Sequence, residues 1–278
     1  MRLNPGVSLD RAELVLTNVE TIWLNARGSR DLYLAFTDAV HDTFPLLREV
    51  FASPDAAGRM RSAAYWNLLS ASEQPAWAVR RANTRAVQVE IEDQIAALGS
   101  VRGEFEALKG LAARPGLPVV YDTNLLNHWH SPDAVLWRDV FRDLGETVKH
   151  VRLVVPIRVI DELDRQKYGQ GDLARKAATA IRFMERTLKG ANAGQPVPLR
   201  DGVTLEVWLN NDDRDVEVDL SVLNCATDLA NLCGNTWVVT DDAGMRLRAQ
   251  NMGLKTASLP EQYRKPGTAI GGIPPAAN

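Results

Sequence analysis

Several protein classes are excluded by what the sequence lacks. It has no run of roughly 18 apolar residues, which a helix needs to cross a bilayer, and residues 1–10 lack the charged-then-apolar order of a signal peptide. The formal net charge is −3, since 32 Lys and Arg are set against 35 Asp and Glu. A tight coat for duplex DNA usually needs a net basic face, so this balance argues against one. We expect a soluble, cytoplasmic protein without a membrane partner.

Cysteine and histidine are also scarce, with two and four residues among 278. Cys225 and Cys233 are eight positions apart in one predicted helix, or about 12 Å along its axis, so we expect thiols rather than a disulfide. The histidines show no Ser or Cys pairing motif, which argues against a side-chain nucleophile. A Gly-x-Gly-x-x-Gly motif after a strand is missing too, and this argues against a nucleotide-dependent dehydrogenase.

The first 112 residues have a helical pattern. Their apolar positions recur at helical spacing, and Gly28, Pro54 and Pro75 interrupt the pattern. One such stripe comprises Leu14, Leu16, Val19, Ile22 and Trp23. We therefore predict an all-α domain of four or five helices over residues 1–112.

The pattern changes at Arg114-Pro115-Gly116-Leu117-Pro118, where short apolar strands begin to alternate with helices. Such alternation predicts a parallel sheet covered on both faces, that is, a three-layer α/β domain. We assign this domain to residues 113–262. The remaining segment, residues 263–278, has too little to bury and is predicted to be a disordered tail.

Acidic residues follow the predicted strands of this domain. Ligands of open α/β sheets bind at the carboxyl ends of the strands. Carboxylates that meet there repel one another unless a cation neutralises them, and Mg²⁺ prefers oxygen ligands together with substrate phosphate. The residues in question are Asp122, the run Asp161-Glu162-Leu163-Asp164, Asp219 and the pair Asp241-Asp242.

Each of these acids also has an ordinary explanation. Asp219 and Asp242 precede helices, where Asp is a favoured N-cap. Asp122 can simply close a turn, and Glu162 lies between Asp161 and Asp164 on what can be a solvated helix face. No position is decisive alone, so the joint pattern carries the argument.

The local sequences around these acids follow one another in order: Val-Val-Tyr-Asp-Thr-Asn, Pro-Ile-Arg-Val-Ile-Asp-Glu-Leu-Asp, Asp-Leu-Ser-Val-Leu-Asn-Cys-Ala and Val-Val-Thr-Asp-Asp-Ala-Gly-Met-Arg. Over residues 117–262 the chain resembles the PIN domain family of metal-dependent nucleases, particularly its longer bacterial members. The resemblance implies a Rossmann-like three-layer fold. It says little about residues 1–112.

Carried over position by position, the resemblance implies four acidic ligands of Mg²⁺ or Mn²⁺, with two polar residues in support. It further implies a ribonuclease that hydrolyses phosphodiester bonds of single-stranded RNA and leaves a 5′-phosphate and a 3′-hydroxyl. The implied ligands and catalytic residues are Asp122, Glu162, Asp219 and Asp242, and the supporting residues are Asn124 and Thr240.

A basic stretch accompanies the acidic one. Residues 158–189 hold eight bases and five acids, and bases on adjoining helices can hold a nucleic-acid backbone. Surface helices are also routinely rich in Lys and Arg, so both interpretations stay open. The candidates for RNA binding are Arg165, Lys167, Arg175, Lys176 and Arg182.

Some assignments stay open at this point. Asp215 or Glu217 is a candidate extra ligand, and Asp241 is an alternative to Asp242. His128 and His130 give a weak metal signal, while Trp129 and Trp137 either stack on bases or are buried.

The function has alternatives as well. A catalytically silent nucleic-acid-binding or scaffold protein can retain the same fold. A haloacid dehalogenase-like phosphatase needs Asp-x-Asp, whereas this chain has Asn124 at the third place. The helical domain can position substrate, mask the site or mediate dimerisation, and a homo-oligomer can form through either domain.

Overall fold

The computed structural model describes residues 2–52, 54–71, 77–192, 194–209 and 216–266. The chain divides into two compact units, Met1–Ala113 and Arg114–Asn278, each of which is described by itself. Among the described residues, no helix combines the length and the apolar character that a membrane span requires.

The first unit is helical. Side-chain caps fix two of its helix starts, since Ser8 Oγ accepts a hydrogen bond from Arg11 N at 3.1 Å and Asp31 Oδ1 accepts one from Leu34 N at 3.1 Å. The helices are α1 (Leu9–Arg27), α2 (Leu32–Val50), α3 (Pro54–Gly58), α4 (Ala63–Ala71) and α5 (Trp77–Ala112).

Helix α1 packs against α2 and α5. Trp23 is fully buried, and its Nε1 donates to Thr43 Oγ1 at 3.3 Å. Ion pairs join α1 to α5 at the surface, with Arg102 Nη2 2.7 Å from Glu20 Oε2. The predicted stripe is wrong at Leu14, which is 62% exposed, because Val15 takes the inward position instead.

The second unit is an α/β domain. Its helices are α6 (Thr123–His128), α7 (Trp137–Asp143), α8 (Ile157–Gln166), α9 (Gly171–Leu188), α10 (Val218–Cys233) and α11 (Ala243–Asn251). Its strands are β1 (Leu117–Tyr121), β2 (Val151–Pro156), β3 (Val197–Arg200), β4 (Val203–Trp208), β5 (Trp237–Val239) and β6 (Lys255–Ala257).

The strands form one sheet in the order β3-β4-β2-β1-β5-β6, in which β3 is antiparallel to β4 and the other pairs are parallel. Every residue of β1, β2 and β5 is buried. Because successive side chains point to opposite faces, complete burial means that both faces of the central sheet are covered. The predicted fold class is confirmed.

Three elements escaped prediction: β3, α6 and α7. They are short, at four, six and seven residues, so they contain too few periods to produce a pattern. At the other end, Tyr263 is buried, and Lys265 Nζ donates to the carbonyl oxygens of Leu126 and Asn127 at 3.1 Å. These residues therefore pack on the α/β domain. Residues 267–278 of the predicted tail lie outside the described residues.

Both cysteines are free thiols, as expected. Cys225 is buried on α10, and Cys233 is partly buried at the end of the same helix.

Candidate active site

Two adjacent strands, β1 and β5, bring Asp122 and Thr240 together at their carboxyl ends. Tyr121 and Val239 pair across these strands, and each is followed by one of the two polar residues. Thr240 Oγ1 donates to Asp122 Oδ2 at 2.7 Å and accepts from Asp242 N at 3.1 Å. One threonine hydroxyl thus links two of the predicted acidic ligands.

Asp122 is nearly inaccessible to solvent, with 2% exposure. Its Oδ1 also accepts from Asn124 N at 3.4 Å, so the side chain caps α6. Burial raises the pKa of Asp122 from 3.8 to about 6, against the lowering effect of the hydrogen bond from Thr240, and the charge of Asp219 raises it further. The hydrogen bond by which Asp122 caps α6 lowers its pKa, but by less than burial raises it.

Glu162 lies on α8, one and a half turns after the carboxyl end of β2. Its Oε2 accepts a hydrogen bond from Thr123 Oγ1 at 2.6 Å. Thr123 is buried and is the first residue of α6, directly after the N-cap Asp122. The start of α6 therefore orients both Asp122 and Glu162. Thr123 was not among the site residues predicted from the sequence, although it is the middle residue of the Asp-Thr-Asn motif.

Asp219 lies in the first turn of α10. Partial burial raises its pKa, the guanidinium of Arg248 lowers it, and the charges of Asp242 and Glu162 raise it again. Dissolved salt screens the interaction between charges that are farther apart than about 10 Å. Asp219 also raises the pKa of Asp122, so it interacts electrostatically with each of the other three predicted acids, and the charge of Glu217 raises the pKa of Asp219 as well.

Asp242 is the N-cap of α11, and its Oδ1 accepts from Met245 N at 2.8 Å. The neighbouring Asp241 is turned to Arg264, whose Nη2 lies 3.1 Å from Asp241 Oδ2. Asp241 therefore pairs with Arg264, whereas the charge of Asp242 raises the pKa of Asp219. Of the two candidate extra ligands, Glu217 is exposed before α10, and Asp215 lies outside the described residues.

The donor set fits a hard divalent cation, because four carboxylates supply oxygen ligands only. Moreover, among the described residues no basic side chain forms an ion pair with the buried Asp122. However, within the same part of the chain no three His, Cys, Asp or Glu side chains are drawn close enough to hold a metal ion. Asp219 is engaged by Arg248, and Asp242 by the backbone of α11. The predicted metal ligands thus act on one another electrostatically, but within the described residues they do not form a metal-binding group.

The supporting residues differ in their placement. Thr240 is fully buried between two acids, whereas Asn124 is exposed and contributes its backbone N–H to Asp122. His128 lies at the end of α6, where burial lowers its pKa. Trp129 and Trp137 are each 1% exposed, so they belong to the core and are not a stacking surface.

The predicted RNA-binding bases lie on α8 and α9 or just after them. Three of them pair with acids on their own helix or its end, since Lys167 Nζ is 2.5 Å from Asp164 and both Arg175 and Lys176 pair with Asp172. Arg182 donates to Thr179 Oγ1, and Arg165 is exposed. Local pairing reduces the charge that this surface offers to a phosphate backbone.

The comparisons with known proteins identify the family. Residues 119–260, half of the chain, match the PIN domain. The chain belongs to the PIN domain family. PIN domains are generally nucleases that bind nucleic acid and typically use divalent metals.

Other comparisons add little to this assignment. One solved structure, a domain of a functionally unknown protein from Methanocaldococcus jannaschii DSM 2661, is 14% identical and covers 59% of this chain and 100% of its own, with a TM-score of 0.35. At that TM-score the likeness carries no argument about function. No curated protein matches the chain.

Proposed function

We propose that this protein is a divalent-metal-dependent ribonuclease that hydrolyses phosphodiester bonds of single-stranded RNA. The observation that supports this most is the buried carboxylate of Asp122. It lies at the carboxyl edge of the sheet, hydrogen-bonded to Thr240 and within electrostatic reach of a second acid. The choice of RNA over DNA depends on the family resemblance alone.

In this proposal Asp122, Glu162, Asp219 and Asp242 hold Mg²⁺ or Mn²⁺. A bound divalent ion supplies a water of lowered pKa and stabilises charge on the phosphate. The protein's own part is to hold the ligands in place. Thr240 Oγ1 fixes Asp122 and the Asp242 backbone, and Thr123 Oγ1 fixes Glu162. No side chain need act as nucleophile, and the products carry a 5′-phosphate and a 3′-hydroxyl.

A second candidate is a catalytically silent nucleic-acid-binding or scaffold protein. The observation that favours it is that the acids of the described residues are not drawn into a metal-binding group. The bases on α9 then bind nucleic acid without cleavage. Both candidates predict RNA binding, so cleavage decides between them.

The test is to incubate the purified full chain with labelled single-stranded RNA or DNA, with Mn²⁺ or with a chelator. We expect Mn²⁺-dependent cleavage of RNA, and a loss of about 100-fold or more in Glu162→Gln because a charged ligand becomes neutral. The matched control is Asp161→Asn, which removes the adjacent acid that pairs with Arg158 instead. Binding without cleavage favours the silent alternative, and cleavage that survives the chelator or Glu162→Gln overturns the proposal.

A further inference from the structure

Arg248 lies on α11 and points its guanidinium at the acidic cluster formed by Asp122, Glu162, Asp219 and Asp242. Its Nη2 is 3.4 Å from Asp219 Oδ2. A methyl group added at Gly244 would be 3.6 Å from the same Nη2 and 3.1 Å from Asp242 Oδ1. The guanidinium thus lies against the first turn of α11, near Asp242, which caps α11, and Asp219, which lies in the first turn of α10.

Among the residues that the structure describes, Arg248 is the base that forms an ion pair with a member of this cluster. The nearby Arg246 has a different task, since its Nη1 donates to the carbonyl oxygen of Thr240 and to Ser258 Oγ at 3.0 Å. Arg246 therefore ties the turn before α11 to the segment after β6. Arg248, by contrast, contacts the carboxylate of Asp219.

The contact between Arg248 and Asp219 is weak. At 3.4 Å it is longer than a charge-assisted hydrogen bond, and the two side chains are 55% and 41% exposed. Exposed pairs of this kind contribute little, because solvent screens them and two flexible side chains must be held. A divalent cation at the cluster competes with the guanidinium for the same carboxylate.

Once a cation has displaced it from Asp219, the guanidinium of Arg248 is available to bind a phosphate of the substrate. The five N–H donors of a guanidinium match the oxygens of a phosphodiester, and its charge complements theirs. The geometry points to Arg248 as a substrate-binding residue that pairs with Asp219 while the cluster holds no cation and turns to a non-bridging oxygen of the scissile phosphodiester when cation and RNA bind. This inference rests on the proposed nuclease function and names a residue that recognises its substrate.

The test measures two quantities in the full chain: Mn²⁺ affinity by calorimetry without RNA, and steady-state cleavage of single-stranded RNA. In Arg248→Ala we expect Mn²⁺ to bind about two- to fivefold more tightly, because its competitor is gone. We expect kcat/KM for RNA to fall about 10- to 100-fold, because a charged hydrogen bond to phosphate is lost. Arg248→Lys keeps the charge and should restore part of both values.

The matched control is Arg142→Ala, which removes an equally charged, exposed side chain that pairs with Asp139 and Asp143 on α7. It should leave both quantities near wild type. A purely structural role of Arg248 would move metal binding and cleavage in the same direction, and that result, or no change in either quantity, overturns the inference. If the wild-type protein neither binds Mn²⁺ nor cleaves RNA, the proposed function itself fails, and the role of Arg248 fails with it.

Discussion

Two buried carboxylates of the PIN domain, Glu206 and Asp122, are almost equally inaccessible, with 1% and 2% exposure, but their surroundings are opposite. Glu206, on β4, is paired with two arginines. Arg152 Nε lies 2.6 Å from Glu206 Oε1 in an ion pair without hydrogen-bond alignment, and Arg114 Nη1 contacts the other oxygen. Asp122 accepts hydrogen bonds from the hydroxyl of Thr240 and from the backbone N–H of Asn124. The charge of another acid, Asp219, raises its pKa.

The difference distinguishes an acid that is paired within the fold from one that we propose as a metal ligand. A buried charge that pairs with opposite charges of the same protein is neutralised when the chain folds and needs no further ligand. A buried charge whose only partners are neutral hydrogen-bond donors lowers the stability of the fold. Proteins retain such charges at sites that bind a ligand. Arg152 is the second residue of β2 and Glu206 is the fourth of the six residues of β4, so this pair lies within the sheet, whereas Asp122 directly follows the carboxyl end of β1.

The largest expected effect is that of Glu206→Gln on stability. The substitution removes the carboxylate that pairs with the buried Arg152 and with Arg114, so we expect a loss of about 3–5 kcal/mol in the free energy of unfolding. Urea denaturation of the full chain, followed by circular dichroism, measures it. The double variant Arg152→Met/Glu206→Met should recover much of the loss, and a single-variant loss below about 1 kcal/mol would contradict the comparison.

Asp122→Asn should raise the free energy of unfolding, whereas Glu206→Gln lowers it. Because the folded pKa of Asp122 is raised to about 6 from 3.8, the ionised form costs up to about 3 kcal/mol above pH 6, and the cost disappears as pH falls toward 4. Without metal, the variant should therefore be more stable than wild type at pH 7–8, with the difference shrinking as the solution is acidified. Unfolding free energies at several pH values measure this difference. A variant that is less stable at pH 8 would contradict the account.

Mn²⁺ should stabilise the wild-type protein and leave Asp122→Asn nearly unaffected. At a free concentration of 100 times Kd, binding to the folded state alone adds about 2.7 kcal/mol. Melting curves with Mn²⁺ or with a chelator measure the effect, and Asp241→Asn serves as control because its carboxylate is turned to Arg264. Equal shifts in wild type and Asp122→Asn would locate the bound ion elsewhere.

The smallest effect concerns the threonine that links the acids. Thr240→Val removes the donor to Asp122 and the acceptor for Asp242 N, so we expect a loss of about 1 kcal/mol per hydrogen bond and weaker Mn²⁺ binding. Thr240→Ser keeps the hydroxyl and should restore both. If Val and Ser behaved alike, the hydroxyl would have no part in the site.

The sequence predicted the parallel sheet because buried strands such as Val151–Val155 are nearly continuous apolar runs. It also predicted that Asp122, Asp219 and Asp242 lie at one edge of the sheet, because each follows a strand or begins a helix, and their joint role as metal ligands stays a prediction. The pair of Arg152 and Glu206 was missed, since a charged residue in a strand gives no sign of which partner lies on the neighbouring strand. Thr123 and Arg248 were missed for a related reason: their roles depend on contacts with α8 and α10, which only the folded chain defines.

The most direct test of the central claim is a crystal of the full chain soaked in Mn²⁺ and measured for anomalous scattering. The account predicts a peak at the carboxyl edge of the sheet, with oxygens of Asp122 and at least one of Glu162, Asp219 and Asp242 at about 2.0–2.3 Å, a distance typical of hard divalent ions. A peak elsewhere, or four carboxylates that stay apart in saturating Mn²⁺, would contradict it.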